Sequence, residues 1–235
     1  MRSEKTWDRQ AIKGLVLFED NHLLVMVKPA GMLTQADRTG DVSLFELAKR
    51  YLKEEYEKPG EVYLGLVHRL DRPVGGVIVF ARTSKAARRL SEQFRSHDTK
   101  KIYWAVVEGA PCPPEGELID SLIKSGTMMR AAPPGTAGGR EARLIYRTLD
   151  SRGDKSLLEV ELVTGRKHQI RAQLAAMGSP IVGDIKYGAK GGLSGRRDQG
   201  DIVGTIRLFA RSLAFRHPIT GREIVIEARP PEGFY

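Results

Sequence analysis

Short apolar runs that end at turn residues recur along this chain, and they constrain its fold more than any other feature. The clearest case extends from Leu66 to Ala81, where two such runs flank Pro73, Gly75 and Gly76. Apolar runs of about four to eight residues bounded by proline and glycine are typical of β-strands. None of the runs approaches the roughly 20 residues that a membrane-spanning helix needs. The sequence therefore predicts a protein built on a sheet, without membrane association.

Other segments have helical periodicity. Ser43 and Glu46 fit a capping box at the start of a helix over residues 43–56. A second helix is predicted over residues 84–96, with Thr83 or Ser84 as its N-cap. A third is predicted over residues 167–177. Further strands are expected at residues 15–18, 23–27, 102–109, 157–163, 206–209, 213–215 and 224–226.

The strands outnumber the helices, and most neighbour one another along the chain. This order favours an α+β fold with a central mixed, mostly antiparallel sheet flanked by helices, over a doubly wound fold. No change of composition marks a linker, so one domain is predicted over residues 15–235, after a loose polar arm over residues 1–14. Residues 131–139 and 187–204 are rich in turn residues and are predicted to form loops.

The charge of the chain points to a polyanionic partner. Its formal net charge is +9 over 235 residues, and the segment from Arg82 to Lys101 has seven basic residues against two acidic ones. Such clusters favour phosphate contacts. The single cysteine, Cys112, excludes an internal disulfide and a multi-cysteine metal site, and the five histidines lack metal spacing. No phosphate-binding glycine motif follows a strand, and no apolar signal peptide is present, so the cytoplasm is the expected compartment.

Asp71 is the carboxylate that the central stretch singles out. It lies between Arg69 and Arg72, next to a tight turn, and arginines within ion-pair range would keep it ionised. Paired glycines beyond the turn permit positive φ or close approach of another backbone. From this stretch alone, a structural Arg–Asp pair that caps a turn is the favoured alternative to a site.

Two further side chains have both a structural and a functional interpretation. Tyr103 stands at the start of an apolar strand and is equally compatible with a core aromatic and with a site. Arg171 shares a helix face with His168, where a solvated surface is the simpler interpretation. Arg166 and Lys167 precede these residues at a predicted helix N-terminus, where cations oppose the helix dipole, which indicates function rather than stability.

Four motifs in order make the chain resemble the RluA-type pseudouridine synthases. The motifs comprise residues 20–31, residues 66–72 with Gly76 and Ala81, residues 101–109, and residues 164–171 followed by 178–184 and Tyr187-Gly188. The resemblance covers roughly residues 15–230. It implies an α+β fold, activity on RNA, and no cofactor or metal.

The resemblance also implies roles for single residues. Asp71 matches the catalytic aspartate, Tyr103 the tyrosine that packs on the target base, and Arg171 the arginine that pairs with the aspartate. The candidate substrate-binding residues are His68, Arg69, Arg72, Arg88, Arg89, Arg166, Lys167 and His168. Pro73-Val74-Gly75 departs from the family pattern, so contacts just after Asp71 are expected to differ.

The function expected from this resemblance is isomerisation of specific uridines to pseudouridine in structured RNA, with ribosomal RNA favoured over transfer RNA. The alternative is a catalytically inactive RNA-binding or ribosome-assembly factor on the same fold. The chain begins too close to the first motif to hold the small N-terminal RNA-binding domain of many members, so RNA is expected to dock on this one domain. A monomer is expected.

Overall fold

A computed structural model describes residues 7–191 and 205–235 of the chain. In chain order, its elements are α1 (Arg9–Lys13), β1 (Val16–Glu19), β2 (Leu23–Lys28), α2 (Leu44–Glu55), β3 (Gly65–Leu66), β4 (Gly75–Ala81), α3 (Ser84–Ser96), β5 (Lys100–Glu108), β6 (Glu115–Ser125), β7 (Met128–Ala132), β8 (Arg140–Arg152), β9 (Lys155–Leu162), α4 (Gln169–Ala176), a short 3-10 helix (Ile185–Tyr187), β10 (Leu208–Arg216) and β11 (Glu223–Glu227). The α+β class predicted from the sequence is confirmed.

The chain divides into two compact units. Among the described residues, the first unit contains residues 7–99 and 212–228, and the second contains residues 100–191, 205–211 and 229–235. The prediction of one domain over residues 15–235 stays a prediction. Predicted loop residues 192–204 lie outside the described part of the chain.

In the first unit, the buried strand β4 is the centre of the sheet. β2 pairs antiparallel with one edge of β4, from Leu23↔Ala81 to Lys28↔Gly76. The short β3 pairs antiparallel with the other edge of β4, and β1 pairs antiparallel with β2. All seven residues of β4 are buried. Alternate side chains of β2 and β4 form a core with the apolar face of α2. The unit therefore has one sheet with α2 packed on a face.

In the second unit, five antiparallel strands lie in the order β5-β9-β8-β6-β7. Helix α4 packs against one face, where Leu122, Ala142, Ala172 and Tyr187 form a small core. On the opposite face, ion pairs link neighbouring strands, including Arg147 with Glu159 at 2.9 Å. The two faces thus have different characters, and α4 covers the apolar one.

The predicted polar arm is wrong in part. Residues 9–13 form α1, with Asp8 as N-cap, and Ile12 is fully buried in the core of the first unit. Arg9 and Lys13 both bind Glu55 of α2, at 2.6 and 2.8 Å. One apolar residue per turn is too little for a periodicity, so only packing against α2 makes this segment helical.

Two other boundaries differ from the predictions. The strands predicted at residues 206–209 and 213–215 are one continuous strand, β10. Ala131 and Ala132 belong to β7 rather than to a loop, because Ala132 pairs with Ser121 and Ala131 with Leu122. In both cases cross-strand pairing overrides the local composition. Among the described residues, no helix is long and apolar enough to cross a membrane.

The capping box of α2 gives a stability prediction. The Ser43 hydroxyl accepts from the Glu46 amide, and the Glu46 carboxylate accepts from the Ser43 amide, as the sequence predicts. Replacement of Ser43 by Ala is expected to lower the free energy of unfolding by about 1 kcal/mol, because a helix amide loses its acceptor. Urea unfolding measures this change. Ser84→Ala, one residue after the N-cap of α3, is the matched control, and an equal loss in both variants would contradict a capping effect.

Candidate active site

Asp71 lies in the turn that leads into β4. Its carbonyl accepts from the Val74 amide at 3.0 Å, and its side chain is half-buried. The turn needs the glycine that follows, because Gly76 has φ of 121°, a conformation that residues with a side chain rarely adopt. The predicted location of the carboxylate on a tight connection is confirmed.

The backbone on both sides of Asp71 is bound to a single segment, residues 28–34. Thr34 Oγ1 donates to the Leu70 carbonyl at 2.8 Å and accepts from the Leu70 amide at 3.3 Å. The Gly31 amide donates to the Arg72 carbonyl at 2.8 Å. Each such hydrogen bond contributes about 0.5–1.5 kcal/mol to the stability of the fold. The hydrogen bonds of Leu70 and Arg72 therefore fix the position of Asp71 between them. We call residues 28–34 the clamp segment.

Lys28 is the charged centre of the clamp segment. Its side chain is fully buried, and Nζ donates to the carbonyls of Pro29, Met32 and Arg72 at 3.1, 2.7 and 3.1 Å. Burial lowers the pKa of Lys28 from its ordinary value of 10.5 to about 7, and the negative charge of Asp71 opposes this shift. The Asp71 carboxylate is therefore near enough to Lys28 to interact with its buried amino group electrostatically.

The predicted frame of two arginines around Asp71 is wrong. The Arg72 guanidinium pairs with Asp41 at 2.6 Å and donates from Nε to the Gly31 carbonyl at 3.1 Å. Arg69 is exposed, and no ion pair joins it to any residue in the described part of the chain. The Arg72 guanidinium is thus held by residues of another segment rather than by its neighbour in sequence. Substrate contacts of both arginines stay predictions.

The ring of His68 has partners inside the first unit. The Val79 amide donates to His68 Nε2 at 3.1 Å, so that nitrogen carries no proton. The ring also stacks on Phe94 of α3, with ring centroids 4.4 Å apart. These contacts tie the strand before Asp71 to β4 and α3. They give His68 a structural role, and its role in substrate binding stays a prediction.

In the second unit, Tyr103 lies on the sheet face that α4 covers. It pairs with Val160 of β9, which pairs with Tyr146 of β8. Because side chains directly opposite one another share a face, and the same face contains Leu144 and Ala142 two and four residues before Tyr146, Tyr103 lies on the side of α4. Tyr103 is half-buried, so part of its ring remains accessible.

Arg171 is buried in α4 and held by a carboxylate that the sequence analysis did not connect to it. Its Nε and Nη2 donate to the two oxygens of Asp184 at 2.7 and 2.8 Å, and both side chains are at most 6% exposed. This two-point geometry orients the planar guanidinium. The predicted solvated helix face is excluded by this burial. The pairing of Arg171 with Asp71 that the resemblance implies stays a prediction.

The ring of Tyr187 also contacts Arg171. The Arg171 guanidinium carbon lies 4.9 Å from the centre of the Tyr187 ring, within the range of a cation–π contact. The Tyr187 hydroxyl accepts from the Met129 amide at 2.9 Å and shares a hydrogen bond with His168 Nδ1 at 2.8 Å. Arg171, Asp184, Tyr187 and His168 thus form one connected network.

The N-terminus of α4 differs from the prediction. The helix begins at Gln169, and His168 precedes it with φ of 55°, so Arg166 and Lys167 lie before the helix. Gln169 closes the loop, since its Oε1 accepts from Thr164 Oγ1 at 2.8 Å and from the Arg166 amide at 3.0 Å. Arg166 Nε donates to the Glu141 carbonyl at 2.9 Å. Lys167 is the exposed cation of this loop.

The basic cluster between Arg82 and Lys101 has fewer exposed cations than its sequence suggests. Lys85, Arg88 and Arg95 are exposed and share a helix face. Arg89 lies one turn after Lys85 but closer to the buried stripe, where Nη1 donates to the Pro218 carbonyl at 2.6 Å. Of the cations that begin β5, Lys100 pairs with Glu161 at 3.2 Å, and burial lowers the pKa of Lys101.

Four side chains that contact the candidate site residues or their backbone were missed by the sequence analysis, namely Lys28, Thr34, Asp184 and Tyr187. A signal existed for Lys28, because a lysine at the end of a fully apolar strand is rarely buried without a specific role. Asp184 and Tyr187 belong to quoted motifs, but sequence cannot show which side chain they contact. Across residues 7–191 and 205–235, no group of three or more His, Cys, Asp or Glu side chains is arranged to hold a metal ion.

The comparisons with known proteins agree with this geometry. A sequence model of the family described as RNA pseudouridylate synthase matches residues 22–176, which include the clamp segment, Asp71, Tyr103 and Arg171. The chain belongs to the RNA pseudouridylate synthase family. It is 36% identical to "Ribosomal large subunit pseudouridine synthase D" of Xanthomonas campestris, over 92% of this chain and 66% of that protein.

Other relatives of this pseudouridylate synthase support the assignment. "Uncharacterized RNA pseudouridine synthase YhcT" of Bacillus subtilis is 34% identical over 92% of this chain and 68% of that protein. The solved structure of human RNA Pseudouridylate Synthase Domain Containing 4 has a TM-score of 0.78 at 25% identity, and the match covers 96% of this chain and 92% of that one. The match to an uncharacterised RNA pseudouridine synthase of Chloroflexus aurantiacus, 47% identical, covers 56% of this chain but only 41% of that relative.

The lowered pKa of Lys28 in this synthase leads us to expect that the stability of the fold depends on pH. Its pKa is lowered to about 7 in the folded chain, so the unfolded chain binds more protons between pH 7 and the ordinary value of 10.5. The free energy of unfolding of the parent, relative to Lys28→Met, is therefore expected to rise with pH in this window, by up to about 1.4 kcal/mol per pH unit. Urea unfolding of both proteins across this window measures the difference. A difference that does not change with pH would contradict the lowered pKa.

Proposed function

We propose that this protein is an RNA pseudouridine synthase that isomerises specific uridines in structured RNA. The observation that carries the proposal is the half-buried Asp71, held on both sides by the clamp segment within a chain of the pseudouridylate synthase family. A carboxylate that is fixed through its own backbone is suited to one defined position on a substrate.

The reaction needs little besides such a carboxylate. The N1–C1′ bond of uridine breaks, a C5–C1′ bond forms, and one hydrogen is transferred from C5 to N1, so no outside reagent is consumed. In this proposal Asp71 acts at the ribose as nucleophile or base. Tyr103 packs on the target base, and Arg171, oriented by Asp184 and Tyr187, supplies a charge-assisted hydrogen bond to the aspartate.

Ribosomal RNA is the substrate class that we favour. Three relatives, from Zymomonas mobilis, Xanthomonas campestris and Pseudomonas aeruginosa, are named "Ribosomal large subunit pseudouridine synthase D" and are 32–36% identical over more than nine-tenths of this chain. A uridine in such RNA must leave its stack, which costs a few kcal/mol. Contacts of the protein with the phosphates on either side offset this cost.

The exposed face of α3 is the phosphate-binding surface that we propose for the first unit. Lys85, Arg88 and Arg95 lie on it, and none of them has a hydrogen bond or ion pair with any residue in the described ranges. Arg89 is left out, because its guanidinium is bound to Pro218. Long cationic side chains with no protein partner keep their charge available for phosphates.

The first test of this function removes the carboxylate. Asp71→Ala and Asp71→Asn are expected to abolish pseudouridine formation and to leave RNA affinity within about tenfold, because the carboxylate acts on the transition state more than on docking. Pseudouridine is mapped by carbodiimide-dependent reverse-transcription stops in RNA from cells without the protein, incubated with each variant. Asp37→Ala, which removes an exposed carboxylate of the same unit, is the control.

Two outcomes would reject the proposal in different ways. Full activity of Asp71→Ala would remove this residue from the mechanism. A parent protein that binds RNA tightly but modifies no uridine in ribosomal or transfer RNA would support the inactive RNA-binding factor. Modification restricted to transfer RNA would agree with the proposed enzyme activity but would reverse our ranking of the two substrates.

The second test addresses the surface of α3. Replacement of both Arg88 and Arg95 by Glu is expected to weaken RNA binding and to lower the slope of log K against log salt by about one to two, without changing which uridine is modified. Fluorescence anisotropy with labelled RNA at several salt concentrations measures both quantities. Replacement of the exposed Lys53 and Lys58 by Glu changes the charge equally, and the same slope in both double variants would place the RNA elsewhere.

A further inference from the structure

An open groove lies inside the second unit, between α4, β7 and the short 3-10 helix. Its volume is about 430 Å³, which is within the range of small-molecule sites. The walls are mainly thioether and methyl groups, from Met128, Met129, Ala172 and Ala175. Such side chains present a smooth apolar surface that adapts to flat groups, and methionine adjusts its shape at low cost.

The charge of the groove has a single sign. Arg130 and Lys186 are the two charged residues of its lining, and both are cations. Arg130 is exposed and has no ion pair with any residue that the structure describes, while Lys186 Nζ donates one hydrogen bond, to the Thr127 carbonyl at 3.2 Å. An apolar slot flanked by cations is complementary to a nucleotide, which joins a flat base to a phosphate.

Tyr187 lies between the groove and Arg171 of the candidate active site. The ring of Tyr187 lines the groove and also supports the Arg171 guanidinium, 4.9 Å from the ring centre. Ala172, the next residue of α4, lines the groove as well. A molecule in the groove and a group bound by Arg171 are therefore separated by little more than one aromatic ring.

We propose that this groove binds a nucleotide adjacent to the target uridine, with its base against Met129 and Ala175 and its phosphate near Lys186. The inference rests on the proposed function, because it assumes that RNA passes Arg171. The bound neighbour holds the strand open beside the extruded uridine and contributes affinity rather than chemistry. Because base stacking tolerates every base, the groove sets the position of the strand more than the sequence that is read.

The test fills the groove and reverses its charge in separate variants. Ala175→Trp occupies the groove, and Lys186→Glu, at an exposed position, repels a phosphate. Each is expected to raise KM for RNA about tenfold, which corresponds to about 1.4 kcal/mol of lost binding, and to leave kcat within about twofold, because the groove contributes affinity rather than chemistry. Ala137→Trp and Lys155→Glu, both exposed in the same unit, are the matched controls. The substrate is the RNA fragment in which the parent forms pseudouridine.

A substrate with an abasic nucleotide on either side of the target identifies the occupant. Loss of the base that fills the groove is expected to raise KM of the parent about tenfold and to have no further effect on Ala175→Trp, because the two changes remove one contact. The proposal would be overturned if the abasic RNAs affected the parent and Ala175→Trp equally. It would also be overturned if KM were unchanged in both Ala175→Trp and Lys186→Glu. A parent that forms no pseudouridine would instead reject the proposed function itself.

Discussion

The hydrogen bonds of the buried Lys28 Nζ are the interactions on which the geometry around Asp71 depends. Three backbone carbonyls converge on Nζ, and one of them belongs to Arg72, directly after the aspartate. A charge taken out of water is costly unless every donor is satisfied, so the clamp segment and the Asp71 turn must adopt their observed conformations together. Thr34 adds the corresponding contacts on the other side of the aspartate, at Leu70.

The second unit also contains a buried cationic side chain whose donors are satisfied, here by a carboxylate. The buried Arg171 is satisfied by a two-point contact with Asp184 and by the ring of Tyr187. Tyr187 in turn is fixed through its hydroxyl by Met129 and His168. Arg171 is thus oriented by partners that are themselves held by further hydrogen bonds, and such support is what keeps the geometry of a site fixed.

The sequence predicted the elements well wherever one local signal was strong. The capping box at Ser43 and Glu46 and the N-cap Thr83 are observed as expected. Errors arose where the structure depends on remote partners. Residues 9–13 are helical because Ile12 and two basic residues contact the first unit's core and Glu55. Arg89 lies on a predicted exposed face, but a carbonyl 129 residues later binds it.

What the sequence by itself determined is the set of reactive residue types, their order along the chain and the alternation that makes the strands. These follow from short-range physics, because side-chain periodicity and turn chemistry depend on residues only a few positions apart. Only the tertiary structure decided which charges are paired. The arginines beside Asp71 do not pair with it, since Arg72 binds Asp41, whereas Lys28, for which no role was predicted, binds the Arg72 carbonyl. The free energy of a buried charge depends on all the groups that surround it, and these come from segments that are distant in the chain.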